Sequence, residues 1–124
     1  MKFYANADRS ILLSILKENG AALSAGDEAL NVLKPGSVDG AAEKHVPMIE
    51  VDGNRVTVTV SEVDHPALPE HHIEWIALET KCGMQCKQIP VGERAQAVFL
   101  LTDDDEAVAA YEHCNLHGLW MNKP

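Results

Sequence analysis

Aromatic side chains make up only 5% of this 124-residue chain. A core here must therefore rest on Val, Ile, Leu and Ala rather than on large rings. Basic residues are also scarce, 10 Lys and Arg against 19 Asp and Glu, for a net charge of −9. That balance argues against a nucleic-acid partner, whose binding rests on cations facing phosphates. No apolar run approaches the ~18 residues that a membrane span requires. The N-terminus, MKFYANADRS, lacks the apolar stretch of a signal peptide, so a cytoplasmic location is expected. Three cysteines are an odd number and do not make the disulfide framework of a small secreted domain. Cys82 and Cys86 form a C-x3-C pair, read as free structural thiols rather than a disulfide, while Cys114 stands apart.

Hydrophobic residues nonetheless reach 46%, enough for a packed domain with little disorder. Residues 1–33 contain neither cysteine nor histidine. Within them Ile11, Leu12, Ile15 and Leu16 suit one helical face behind an Asp8 cap, but Asn19-Gly20 equally suits a hairpin between ILLSILK and AAL. The Pro, Gly, Ser and Asp of LKPGSVDGAA, 33–42, mark a linker. Beyond residue 46 the pattern is β. Val56, Val58 and Val60 alternate with Thr57 and Thr59, and Asp52-Gly53 signals a hairpin before them. HHIEWIALETK, QAVFLL and EAVAAYEHC supply further strands, the last two on either side of the acidic turn Thr102–Asp105. Short strands with frequent turns predict an antiparallel β-sandwich.

The chemistry concentrates in histidines and one cysteine. In HCNLHGLW, Cys114 ends a strand, and His117, three residues on, can fold back onto the same metal ion as the thiolate. Cys114 alone is equally a small buried hydrophobe. Pro66 biases His65 toward an extended conformation in a stiff loop. His71 and His72 are adjacent at a strand start and point to opposite faces, so only one of them can reach a shared ion. The same parity separates His113 from Cys114. His45 lies in EKHVP, where Glu43 and Lys44 read at first as a solvated charged turn.

Taken in order, EKHVPMIEVDGNRVTVTV, the His65-Pro66 pair, EHHIEW and AAYEHCNLHGLW resemble the superoxide reductase family, the desulfoferrodoxins and neelaredoxins. The resemblance spans about Leu33 to Trp120. It implies an all-β, immunoglobulin-like sandwich, with residues 1–36 a small N-terminal segment and 37–124 the iron-binding domain. It implies one mononuclear non-haem iron, with His45, His65, His71 and His117 as equatorial ligands and Cys114 as the axial thiolate. His72 and His113 stand where the family often has Tyr. Lys44 matches a lysine near the open face of the iron, and Glu43 a glutamate that can fill the sixth position in the ferric state. The activity implied is one-electron reduction of superoxide to hydrogen peroxide. Rubredoxin or a similar protein is the implied electron donor, and a homo-oligomer, a dimer before a tetramer, the implied assembly.

Longer members of that family begin with a rubredoxin-like module whose four cysteines hold a second iron. Here YANADRS stands in place of one cysteine pair and LSAGDEAL in place of the other. Ser, Ala, Asn, Asp and Arg cannot replace thiolates around a tetrahedral iron. Residues 1–36 are thus expected to be a vestigial, metal-free, desulforedoxin-like segment. A rival reading is a blue-copper-like electron carrier, in which Cys114, His117 and Met121 join one upstream histidine. It leaves His65 and His71 unused. A closed structural zinc site wants four ligands, one fewer than the donors available.

Overall fold

A computed structural model describes residues 1–124 and divides the chain into two compact units, Met1–Lys34 and Pro35–Pro124. The first unit is a small antiparallel sheet of β1 (Phe3–Ala5), β2 (Leu12–Ser14), β3 (Leu23–Ala25) and β4 (Glu28–Val32), in the order β2-β1-β4-β3. Neither sequence reading of residues 11–25 describes it. The apolar run around Leu12 is a strand paired with β1, Phe3 opposite Ser14, so it has no helical face. The segments flanking Asn19-Gly20 lie at opposite edges of the sheet and do not pair with each other. Short apolar runs carry too little periodicity to separate helix from strand, and here β1 supplies the deciding partner. Asp8 does cap, but a turn: its carboxylate accepts the N–H of Ser10 at 3.0 Å.

The second unit contains β5 (Pro47–Asp52), β6 (Arg55–Val60), β7 (Ile73–Thr80), β8 (Met84–Gln88), β9 (Gln96–Leu100), β10 (Ala107–Cys114) and β11 (Gly118–Asn122). They make two antiparallel sheets, β5-β6-β9 and β11-β10-β7-β8. Val56, Val58 and Val60 of β6 and Ala97 and Phe99 of β9 are buried with Ile76, Leu78 and Ala110 of the other sheet in one core cluster. The expected antiparallel all-β sandwich is therefore what forms. The β5–β6 hairpin turns through Gly53 and Asn54, one residue later than the sequence suggested, with Gly53 at φ 59°, a left-handed value that glycine adopts without strain.

Two features of this sandwich position the site. Strands β7 and β10 are central, and β10 is buried on both faces over its last six residues. Between His113 and Cys114 the pairing with β7 skips a residue: His113 faces Trp75 while Cys114 faces Ile73. Such an irregularity bends a strand and re-aims its side chains. The chain then turns through Asn115, Leu116 and His117, and Gly118, at φ 76°, pairs back with Cys114.

Candidate metal centre

Three chain segments bring five donors together. His45 follows the 3-10 turn Ala42–Lys44 at the entry to β5, and His65 and His71 sit in the connection between β6 and β7. Cys114 and His117 come from the end of β10 and the turn behind it. One ligand atom from each of His45, His65, His71, Cys114 and His117 lies within 4.8 Å of every other.

The four imidazoles form a closed square. Neighbouring ring centroids are 4.8 Å apart for His45–His65 and His45–His117, 4.7 Å for His65–His71 and 5.0 Å for His71–His117. Interplanar angles run from 74° to 84°, so each ring meets the next edge-on. His45 Nε2 is 3.1 Å from both His65 Nε2 and His117 Nδ1. The Cys114 sulfur lies 3.5 Å from His65 Nε2 and 3.8 Å from His117 Nδ1.

The outer nitrogens decide what those short contacts mean. His45 Nδ1 is 2.7 Å from the carbonyl of Ala41, and His65 Nδ1 is 2.8 Å from that of Pro66. A carbonyl only accepts, so both Nδ1 atoms carry the proton and both Nε2 atoms present lone pairs. Two lone pairs 3.1 Å apart repel unless a cation lies between them. Donors bound at about 2.1 Å to one ion and at right angles to each other stand about 3.0 Å apart, which the observed contacts match. His71 Nε2 is buried with no hydrogen-bond partner, as a ligand atom awaiting an ion would be. The residues present thus fit a single metal ion. Four imidazoles and one thiolate suit a soft-to-borderline redox metal better than magnesium or calcium.

Burial lowers the basicity of His45 and His71, with other site histidines and Lys44 adding to the effect, and takes His65 down to about 4. These rings are then neutral and available as ligands at physiological pH. Burial pushes the Cys114 thiol up, while backbone N–H groups of His117 and Leu116 act to lower it. The turn after Cys114 therefore supplies the sulfur with hydrogen bonds from its backbone. Trp120 of β11 stacks on His45 (5.0 Å, 21°) and its indole N–H donates to the His117 carbonyl at 3.0 Å.

Parity excludes the neighbours, as anticipated. His72 Nδ1 turns to the Leu68 carbonyl at 3.0 Å, and His113 Nδ1 contacts Glu74 at 2.7 Å while its ring stacks on Trp75. Met121 follows Trp120 on β11, so its side chain leaves on the face opposite the indole. With His65 and His71 both in the cluster, the copper reading loses its ground. Cys82 and Cys86 are free, exposed thiols. Sequence reasoning passed over three contributors: Trp120, the Asn115 side chain, and Glu112. Glu112 is fully buried on the core face, opposite Ile76, with neither carboxyl oxygen hydrogen-bonded. Burial holds its carboxyl well above the usual range. The strand parity of Ala110, Glu112 and Cys114 would have flagged it.

Comparison with known proteins agrees with this geometry. The desulfoferrodoxin family profile matches residues 37–123. Desulfoferrodoxins of Clostridium acetobutylicum (32% identical, 97% of this chain and 94% of that protein) and Nitratidesulfovibrio vulgaris (39% identical, 88% and 85%) are curated relatives. The superoxide reductase from Treponema pallidum superposes over 99% of this chain and 100% of its own, with a TM-score of 0.83 and 40% identity. The fold and donor set define a β-sandwich metalloprotein of the superoxide reductase type. The chain belongs to the desulfoferrodoxin family.

Proposed function

We propose that this chain is a superoxide reductase, which adds one electron and two protons to superoxide to give hydrogen peroxide at a mononuclear non-haem iron. The observation that carries this reading is the square of four imidazoles with a cysteine sulfur against it, five donors that leave one coordination position to a small ligand. Relatives named superoxide reductase, from Thermococcus kodakarensis and Treponema pallidum among others, support it. His45, His65, His71, His117 and Cys114 would hold the iron, which would supply one-electron chemistry at the site, with a donor protein as the source of the electron.

The chain's own residues prepare that step. Neutral imidazoles and one thiolate leave a divalent ion net positive, which favours an anionic substrate. Lys44, exposed in the turn just before His45, adds positive charge felt by both His45 and His71. In our reading it draws superoxide inward against a net charge of −9 and holds a water that delivers a proton. Glu43, one residue earlier, would offer its carboxylate to the oxidised metal once product has left. Backbone N–H groups of Leu116 and His117 temper the electron donation of the Cys114 thiolate.

We further read residues 1–36 as a metal-free relic of a desulforedoxin-like module. Asn6 supports this. Its side chain contacts Ser10 and Glu28 and accepts the N–H of Ile11, so polar bonds tie the loop between β1 and β2 to β4. Rubredoxin or a similar carrier as electron donor, a homodimer, and a cytoplasmic location complete the proposal.

The test is metal analysis of the purified protein with its visible spectrum and product stoichiometry. We expect one iron per chain, a thiolate-to-iron charge-transfer band that Cys114→Ser abolishes, and peroxide without oxygen evolution. Copper in place of iron, retention of the band in Cys114→Ser, or oxygen release would overturn the assignment.

A further inference from the structure

The five donors are not held in place by the same means. His45 and His65 each anchor their outer nitrogen on a backbone carbonyl. His117 lies inside the β10–β11 turn, and its carbonyl is fixed by Trp120. His71 is held through its backbone. It exchanges two N–H···O bonds with Leu68, both 3.0 Å, which closes residues 68–71 into a compact loop. That loop must then be fastened to the rest of the site.

One residue does this on both sides of His71. The Asn115 side-chain oxygen accepts the N–H of His72 at 2.9 Å, and its side-chain nitrogen donates to the carbonyl of Glu70 at 3.0 Å. The Asn115 backbone N–H donates to the His72 carbonyl at 3.2 Å. Three bonds thus run from the residue after Cys114 to the two residues flanking His71. An N–H only donates and a carbonyl only accepts, so these partners fix the amide orientation. The arrangement needs a donor and an acceptor on one short head: Asp lacks the donor, and Ser cannot span both partners.

We propose that Asn115 is a positioning residue that locks the His71 loop onto the Cys114–His117 turn and so sets the place of His71 in the metal centre. This rests on the five-donor reading above. Its consequence is specific. Loss of the amide leaves Cys114, His45, His65 and His117 supported and frees His71 alone.

The metal-free full-length chain, titrated with Co²⁺ against a chelator, tests this. The wild type should bind one Co²⁺ with d–d bands and a thiolate-to-cobalt charge-transfer band. Asn115→Ala should lower Co²⁺ affinity by about 10- to 100-fold, the range typical for loss of a group that orients a ligand. It should also alter the d–d bands and keep the thiolate band. Asn115→Asp, which retains the acceptor for His72, should lose less. In a His71→Ala background, adding Asn115→Ala should cost no further affinity, since the ligand it positions is gone. Unchanged affinity and bands in both Asn115 variants would overturn the proposal, as would an equal loss with and without His71. A wild-type chain that takes up no Co²⁺ would instead overturn the five-donor reading beneath it.

Discussion

Trp120 offers a measurable separation between packing and hydrogen bonding at the site. The indole contributes two things: a stack on His45 at 5.0 Å and 21°, and an N–H bond to the His117 carbonyl at 3.0 Å. It is 9% exposed, and the backbone of the entering loop lies against it, so close that a Cβ at Gly40 would fall 3.3 Å from the ring. Phe keeps a ring on His45 but removes the donor. The expected cost for Trp120→Phe is one buried hydrogen bond, about 1 kcal/mol of metal-free stability. Ala removes the ring as well and should cost about 3–5 kcal/mol, the range for large aromatic truncations in a core. Denaturant unfolding of the metal-free protein gives both numbers, because Trp75, the second of two tryptophans, remains as a fluorescent reporter. Both variants should also weaken Co²⁺ binding, Ala more than Phe, because the indole contacts two donors. Equal stability losses in the two variants would refute the stacking contribution. Unchanged metal affinity in Trp120→Ala would show that the indole does not hold His45 and His117 for the ion.

Charge and pH give two further tests. Lys44→Ala should lower the second-order rate with superoxide by about 3- to 10-fold at low salt and flatten its ionic-strength dependence, as read by pulse radiolysis; an unchanged rate would remove Lys44 from substrate capture. His65 falls from 6.5 to about 4 on folding, so between those values the unfolded chain binds the proton and the folded one does not, and stability is lost as pH falls. In the metal-free protein the stability advantage of wild type over His65→Gln should therefore shrink by roughly 2–3 kcal/mol between about pH 7 and pH 4.5. The comparison with His65→Gln is needed because Glu112, raised by burial, acts in the opposite sense, losing stability as pH rises. A difference that stays flat with pH would mean that His65 is not desolvated in solution.

What could be read from the sequence follows from which physical signals side chains carry. The strands β5, β6, β9 and β10 were legible because β-branched and apolar residues recur in runs bounded by turn residues. β8 was not, since MQCKQ is an edge strand of mostly exposed residues with no apolar alternation to announce it. β11 hid inside the motif HCNLHGLW, where Cys114 and His117 carried the reading and Leu119 and Trp120 were given no role. The first unit defeated periodicity because β2 and β3 are three residues each, shorter than either template needs. At the site, the ligand residues announce themselves by type and spacing, and parity alone removed His113 and left one of His71 and His72.

What supports the ligands is less visible, for a physical reason. The carbonyls of Ala41 and Pro66 fix two histidine tautomers, yet every residue has a carbonyl, so no letter marks the ones that matter. Asn115 carries a letter, but asparagine in a turn is ordinary, and only the approach of residues 70 and 72 gives its amide two partners. Donor identity is thus local information, and donor placement is a property of chain segments far apart in sequence. The same logic bears on our proposal that the first unit is a metal-free relic. There, hydrogen bonds from Asn6 to groups at positions 10, 11 and 28 would do what metal bonds would otherwise do. No such exchange is open to the second unit, where two imidazole lone pairs 3.1 Å apart require a cation rather than a donor to share between them.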